Sequence, residues 1–368
     1  MMRESWSKFL KDFRSAGLDQ EGGYSEYKFF VDNINHRIAS GTAQDGNADV
    51  MSGTNLINTI NSGKSEAELF DMRPMNQVEF DTSSDDDGHV LINVDTGGGF
   101  RTDFVAILNH NMTDAQAKVR ITSSSTESNV SSADMSGGSI SSSLSGVVNF
   151  NDSSSSSNVA TPTSNGSTIF TFTATTNRYI GIQFEGTNGQ TNDTAGDGDF
   201  DGSTDLKIGC IMVGEHYTMP VAPDLNVKRT IIYDSVSVNE SMGGQRYSNA
   251  TNLGRNWLSS SNKSPFTLAN QSYYVYNGRI AYDMSFSYLA SSDIMPSDYS
   301  VEQTSSDTVV ADLWSRVNGR MIPFIFTTDS TSTSESDYLF ARFGQDSLEM
   351  NQVAPDVFNV SMRIEEEF

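Results

Sequence analysis

The sequence has few of the residues that form disulfides, bind metals or attract anions. Its 368 residues include one cysteine and four histidines, and 23 Lys and Arg stand against 47 Asp and Glu, for a formal net charge of −24. A single cysteine excludes a disulfide within the chain, and Cys210, inside the apolar run LKIGCIMVG, is interpreted as a small buried hydrophobe. Such an acidic surface repels phosphates and anionic headgroups, so we expect neither nucleic acid binding nor membrane insertion.

Long apolar runs are also absent. No run approaches the roughly 20 residues that span a bilayer. At the N-terminus, MMRESWSKFLKDFRSAG, charged residues interrupt every apolar stretch, which is unlike a signal peptide. We therefore expect a soluble protein that is made without a conventional secretion signal.

Catalytic motifs are missing as well. The histidines lack metal-ligand spacing, and no nucleophile elbow, H-E-x-x-H motif or P-loop is present. His110, in ILNHNM at the end of a predicted strand, is interpreted as a loop-facing or hydrogen-bonded side chain without a catalytic role. A glycosidase needs two carboxylates, but a pair has no diagnostic value among 47 acids. We expect a protein that is not an enzyme, and an envelope-degrading hydrolase is the least supported alternative.

The patterns that are present predict β-structure. FVAILNHNM (104–112), KVRIT (118–122), RYIGIQF (178–184) and LKIGCIMVG (206–214) are apolar or alternate with a period of two. In RYIGIQF, for example, Ile180, Ile182 and Phe184 share one face. Residues 74–219 are therefore predicted to form an antiparallel, jelly-roll-like sandwich.

Two further regions flank the predicted sandwich. Residues 1–73 are predicted to be an N-terminal arm with little core, beginning with a short amphipathic helix whose stripe is Trp6, Phe9, Leu10 and Phe13. Residues 220–368, after the boundary segment MPVAPDL, are predicted to be a second β-rich domain with one helix, DTVVADLWSRVNG, that Asp307 caps and Gly319 ends. Its clearest strand is RIAYDMSFSYL.

One acidic loop, DGDFDGSTD, is a candidate metal site. Asp197, Asp199 and Asp201, with Gly202 and Asp205, match the first half of a D-x-D-x-D-G calcium loop. The twelfth position is Ile208 instead of a bidentate glutamate, and strands instead of helices are predicted on both sides. Two interpretations stay open: a Ca²⁺ that stabilises the loop without taking part in chemistry, or a solvated acidic hairpin.

The order of these motifs resembles a known class of protein. DFVAILNHNM, AKVRI, NRYIGIQFEG and LKIGCIMVGEHYTMPVAPDL resemble a galactose-binding-like (discoidin-like) sandwich found in structural proteins of tailed bacteriophages. SMGGQRY, SFSYL, DLWSRVNGRMIPFIF, YLFARFG and FNVSMRIEEEF resemble the second half of such proteins, a domain similar to tail-tube and distal-tail proteins. The resemblance covers residues 74–368, and no sugar-binding residue transfers position by position.

The resemblance implies a non-enzymatic virion component, made in the host cytoplasm. Such a protein forms an oligomeric ring or hub, such as a hexamer, in the tail tip, baseplate or neck and docks onto other tail proteins. The alternative is a carbohydrate-binding adhesin or receptor-binding protein of the tail, whose partner is a host-surface glycan. A fold of this kind does not by itself assign either function.

Overall fold

A computed structural model gives the architecture of the chain. The structure describes residues 27–35, 48–61, 63–97, 100–131, 148–149, 153–156, 159–188, 198–233, 236–250, 279–296, 308–329, 332 and 337–367. The predicted N-terminal helix and its stripe of Trp6, Phe9, Leu10 and Phe13 lie outside the described residues, as do Asp197 and Asp307.

Strands dominate the described residues. In chain order they are β1 Lys28–Asp32, β2 Ala48–Val50, β3 Val78–Phe80, β4 Val90–Asp95, β5 Thr102–His110, β6 Ala117–Ser124, β7 Val148–Asn149, β8 Ser153–Ser156, β9 Val159–Pro162, β10 Gly166–Thr175, β11 Tyr179–Gly186, β12 Leu206–Ile208, β13 Cys210–Thr218, β14 Lys228–Ile232, β15 Val236–Glu240, β16 Arg246–Ala250, β17 Arg279–Ala290, β18 Phe324–Thr327, β19 Tyr338–Phe343, β20 Met350–Ala354 and β21 Val357–Glu366. The helices are short: 3-10 turns at Glu66–Phe70 and Glu127–Asn129, an α-helix at Ser291–Ile294 and a π-helix at Val309–Trp314.

One antiparallel sheet runs through both predicted domains. Its order is β14-β17-β21-β19-β18-β1-β13-β5-β10-β7, and β20 pairs with β21. β1 joins the two halves, because Phe29 pairs with Tyr217 of β13 on one side and with Phe326 of β18 on the other. The structure therefore places residues 28–32, which were predicted to belong to an arm, in the middle of the large sheet.

A second sheet, β2-β4-β11-β6-β9-β8, packs on half of the large sheet. Between them lies an apolar core that includes Ile182, Phe184, Val105 and Ile211. The predicted face of RYIGIQF does point into this core. The predicted fold class, mainly antiparallel β with a sandwich, is confirmed.

The other half of the large sheet has a core of its own, which packs under the π-helix. Val309, Leu313 and Val317 bury their side chains against Phe286, Phe324 and other apolar residues of the sheet. The predicted helix is present, and its observed cap is Thr308, whose Oγ1 accepts a hydrogen bond from the Ala311 amide at 3.1 Å. Gly319 follows with a φ of +65°, a conformation that favours glycine at the end of a helix.

A charged cluster separates the two cores on the inner face of the large sheet. Glu215 of β13 pairs with Arg101 at 3.1 Å and with Arg316, just after the π-helix, at 3.4 Å. Arg316 also donates to Asn33 Oδ1 at 2.7 Å, and its side chain is only 6% exposed. Burial raises the pKa of Glu215 to about 7, although both arginines act to lower it. The cluster ties the π-helix to the sandwich.

The outer face of the large sheet is apolar at its centre. Phe30, Phe104, Met212 and Phe340, from four different strands, share a buried cluster there. Met72, from the segment that follows the first 3-10 turn, belongs to the same cluster. That segment, residues 71–77, therefore lies on the outer face of the large sheet and brings its polar side chains beside β19.

Candidate functional site

A polar cleft opens between residues 71–76 and the C-terminal half of the large sheet. It has a volume of about 650 Å³, and its lining consists of Asp71, Met72, Arg73, Met75, Asn76, Arg342 and Glu367. The first five residues belong to one loop, Arg342 lies on β19, and Glu367 directly follows β21. The cleft therefore exists only because the large sheet joins the two halves of the chain.

The loop that forms one wall is fixed by its own polar groups. The Asp71 carboxylate accepts from the Arg73 amide at 2.8 Å and from Asn76 Nδ2 at 2.9 Å. The backbone amide of Asn76 donates to the Arg73 carbonyl at 2.8 Å. Lys64 Nζ donates to Asn76 Oδ1. These bonds define the loop conformation before any ligand binds.

Contacts beneath the loop hold it against the sheet. Met72 has a φ of +58°, an unfavourable conformation for a residue with a side chain, and it is held there with its side chain buried in the outer-face cluster. The Pro74 carbonyl accepts from Asn109 Nδ2 at 2.7 Å. A Cβ on Gly209 would meet that carbonyl oxygen at 2.1 Å, so the close approach requires glycine.

The opposite wall is charged. Arg342 Nε lies 3.3 Å from Glu367 Oε2, and an Arg342 guanidinium nitrogen donates to the Met321 carbonyl. Arg279 also approaches Glu367, at 3.8 Å. The backbone of Glu367 is fixed because its amide donates to the Phe340 carbonyl at 2.8 Å. About a third of the Arg342 and Glu367 side chains stays exposed to solvent, which leaves polar atoms for a ligand.

The cleft carries charges of both signs in balance. Its lining has two anionic side chains, Asp71 and Glu367, and two cationic ones, Arg73 and Arg342. Lys64 and Arg279 approach the lining residues Asn76 and Glu367. Carboxylates accept hydrogen bonds, guanidinium groups donate them, and the amide of Asn76 does both. Such a lining suits a ligand with many hydroxyl groups or with a carboxylate.

The aspartates of the predicted calcium loop are used in different ways. Asp199 pairs its backbone with Asn188 and is exposed. Asp201 Oδ2 accepts from Ser203 Oγ at 2.7 Å. Hydrogen bonds from Ser203 and Thr204 lower the pKa of Asp201. Asp205 accepts from the Ser83 amide at 2.9 Å and from Asn61 Nδ2 at 3.2 Å, so each of its carboxylate oxygens has a hydrogen-bond donor.

No group of three potential metal ligands comes together among the residues that the structure describes. Because Asp197 lies outside them, the Ca²⁺ site at Asp197, Asp199, Asp201 and Asp205 stays a prediction. Calorimetric melting with calcium and with a chelator is the measurement that checks it.

His110 and Cys210, both singled out in the sequence, are buried among packing and hydrogen-bonding partners. His110 Nε2 lies 2.8 Å from Thr168 Oγ1, and its Nδ1 accepts from the Met112 amide at 3.3 Å. Burial lowers the pKa of His110 to about 3, so the ring is neutral at physiological pH. Cys210 is fully buried in the outer-face cluster, and burial raises the pKa of its thiol, as expected for a packing residue.

A second polar cluster lies on the smaller sheet, on the face turned away from the core. Lys118 Nζ lies 3.4 Å from Glu185 Oε2, and Arg120 lies at the same distance from the other carboxylate oxygen. Lys118 and Glu185 are 1% and 0% exposed. Because these side chains are closed to solvent, the cluster is no site for a soluble ligand, and the open cleft is the better candidate.

Comparisons with known proteins find similarity in solved structures alone. No protein-family model and no curated protein matches the chain. A chitosan-binding module from a chitosanase/glucanase of Paenibacillus sp. IK-5 is similar at 14% identity and a TM-score of 0.29, over 50% of this chain and 98% of that one. The CBM32 of AlyQ, solved with 4,5-unsaturated mannuronic acid, gives 14%, a TM-score of 0.26, and 45% and 97%.

A third similar structure is a CBM32 module produced by Clostridium perfringens, at 11% identity, a TM-score of 0.23, and coverage of 47% of this chain and 96% of that one. At this level of similarity, the ligand of none of these modules transfers to the chain. Within the described part of the chain, no helix has the length and apolarity needed to cross a membrane.

Proposed function

We propose that the chain is a non-catalytic carbohydrate-binding protein whose ligand occupies the cleft between the 71–76 loop and β19. The observation that carries the proposal is the convergence of hydrogen-bond donors and acceptors from both halves of the chain in an open cleft of about 650 Å³. Sugar hydroxyls both donate and accept, so they need this mixture. The fixed loop supports the proposal because an ordered wall reduces the entropy that binding costs.

A binding assay with matched variants tests this proposal. Isothermal titration calorimetry against neutral and acidic oligosaccharides should show saturable binding by the wild-type chain. Arg342→Ala should weaken it by about tenfold, since a charge-assisted hydrogen bond contributes on the order of 1.5–3 kcal/mol. Arg246→Ala changes the net charge equally at a side chain that is 76% exposed and outside the cleft, so it should bind like the wild type. An absence of binding by any sugar in a broad glycan array refutes the proposal.

A second candidate function is structural: an oligomeric ring or hub of a phage tail. The favouring observations are an open sheet edge and exposed apolar side chains. β14 is the last described strand on its side of the large sheet, and the β15–β16 hairpin, which follows it in the chain, exposes Val238 and Tyr247 by 59% and 60%. Open strand edges and exposed apolar side chains are surfaces that proteins use for assembly.

Assembly is tested by mass measurement and by microscopy. Sedimentation should show an oligomer that a double change, Val238→Ser with Tyr247→Ser, converts to a monomer without lowering the melting temperature. Electron microscopy of virions should place the chain in the tail. A monomer at all concentrations, or virions without the chain, would remove this candidate.

A further inference from the structure

Arg73 differs from the other cations of the cleft. Arg342 and Arg279 both lie beside Glu367, and Lys64 bonds to Asn76. No carboxylate among the described residues forms a salt bridge with Arg73, although its side chain is exposed at the cleft. Its guanidinium therefore offers five N–H donors in a planar fork to a ligand.

Hydrogen bonds fix the backbone from which this guanidinium extends. The Arg73 amide donates to Asp71, and the Arg73 carbonyl accepts from Asn76, both at 2.8 Å. The neighbouring Met72 is buried beneath the loop and Pro74 is held by Asn109. Because the backbone on both sides of Arg73 is already ordered, binding of a planar anion costs side-chain entropy but little main-chain entropy.

We propose that the cleft selects sugars that carry a carboxylate, and that Arg73 recognises this carboxylate through a bidentate pair. This inference rests on the proposed carbohydrate-binding function. The carboxylate has the planar two-oxygen geometry that matches the guanidinium fork. The sugar ring and its hydroxyls then face Asp71, Asn76 and the Arg342–Glu367 pair across the cleft.

The overall charge of −24 does not oppose this specificity at the cleft. Charges farther apart than about 8 Å are largely screened at physiological ionic strength, so the two anionic and two cationic side chains that line the cleft decide the local potential. Among them, Arg73 is the cation without a salt bridge to a described carboxylate, and it is the position that favours an anion. The distant acidic surface slows the approach of an anion and makes the association rate rise with salt, opposite to the usual behaviour of oppositely charged partners.

The decisive experiment compares two forms of one sugar on the full chain. Trigalacturonate and its fully methyl-esterified form share the same sugar rings and differ at the carboxyl groups, which are anionic in the acid and neutral methyl esters in the other form. Calorimetry gives the affinity of each. We expect the acid to bind about tenfold more tightly than the ester, from one charge-assisted bidentate contact. Arg73→Ala should remove this preference, and Arg73→Lys should retain only part of it because an ammonium group has no fork.

Controls separate the inference from the proposed function. Arg246→Ala should keep the preference, and the melting temperature of each variant reports whether it is folded. A trisaccharide that carries sulfate groups instead of carboxylates and free acetate should both bind less tightly than trigalacturonate. Equal binding of acid and ester, or a preference that survives Arg73→Ala, overturns the inference while the carbohydrate-binding function stands. Binding of neither form, nor of any neutral sugar, overturns both.

Discussion

Replacement of Arg316 by methionine should destabilise the chain strongly, because Arg316 joins the two cores through buried charges. Its guanidinium lies 3.4 Å from Glu215, 3.8 Å from Asp312 and 2.7 Å from Asn33 Oδ1. It also lies 5.2 Å from the centre of the Phe100 ring. Methionine keeps much of the packing volume but leaves Glu215 with Arg101 as its only described cationic partner.

The expected loss in the free energy of unfolding is about 3–5 kcal/mol, the cost of removing one partner from a buried ion pair. Arg246→Ala, which breaks an exposed pair with Glu240, should cost less than about 1 kcal/mol. Arg316→Met combined with Glu215→Gln should cost less than the sum of the two single changes, because the double variant no longer buries an unpaired carboxylate.

Urea unfolding, followed by tryptophan fluorescence and circular dichroism, measures these values. The pH dependence provides an internal check. Arg316 lowers the pKa of Glu215 from the value that burial alone would give, so the cost of Arg316→Met should be larger at pH 8 than at pH 5, where Glu215 is protonated. A loss below 1 kcal/mol, or additivity in the double variant, would refute the proposal that the charged cluster couples the two cores.

Three further predictions concern other buried positions. His110→Gln should make the free energy of unfolding less sensitive to acid. The pKa of His110 is about 3 in the folded state, against the ordinary value of 6.5, so the unfolded state binds the proton first, and wild-type stability should fall by up to roughly 5 kcal/mol from pH 6.5 to 3. The same pH dependence of unfolding in the variant would contradict this. Gly209→Ala should push Pro74 away, lower the free energy of unfolding by about 1–3 kcal/mol and weaken sugar binding in the same sample; normal affinity would show that the loop position does not matter. Glu185→Ala should cost about 3–5 kcal/mol because it leaves Lys118 buried without its anion, whereas Glu185→Ala with Lys118→Met should recover part of that loss in chemical denaturation.

The sandwich strand β11 could be predicted because its apolar side chains lie on one face and its polar side chains on the other. In β11, Ile180, Ile182 and Phe184 enter the core, and this produces the period of two that identifies a strand in a sequence. The last strand behaves in the same way, with Val360, Met362 and Ile364 buried. Alternation is a local property, so it is visible without knowledge of the strand's partners.

β1 could not be predicted by the same reasoning. Phe29 and Val31 belong to the core beneath the π-helix, whereas Phe30 belongs to the cluster on the outer face. A strand with apolar residues on both faces shows no alternation, and five residues, KFFVD, are too few to identify it by length. The surrounding polar residues therefore favoured the interpretation as an arm.

β17 shows a smaller limit of the same kind. The period of two placed Tyr288 on the same face as Phe286, but Tyr288 has a φ of +62° and is 60% exposed. The register with β21 shifts between Phe286 and Leu289, and Leu289 takes the buried position. A β-bulge of this type depends on the partner strand, so a single strand's sequence does not reveal it.

The cleft is the feature furthest from the reach of sequence patterns, because its two walls come from opposite ends of the chain. The loop at residues 71–76 lies beside Arg342 and Glu367 only because β1 places the sandwich and the C-terminal strands in one sheet. The domain boundaries predicted from the sequence, after residues 73 and 219, separate the loop from Arg342. The undetected strand and the undetected cleft therefore have one cause: a central strand without alternation positions the residues that we propose bind the sugar.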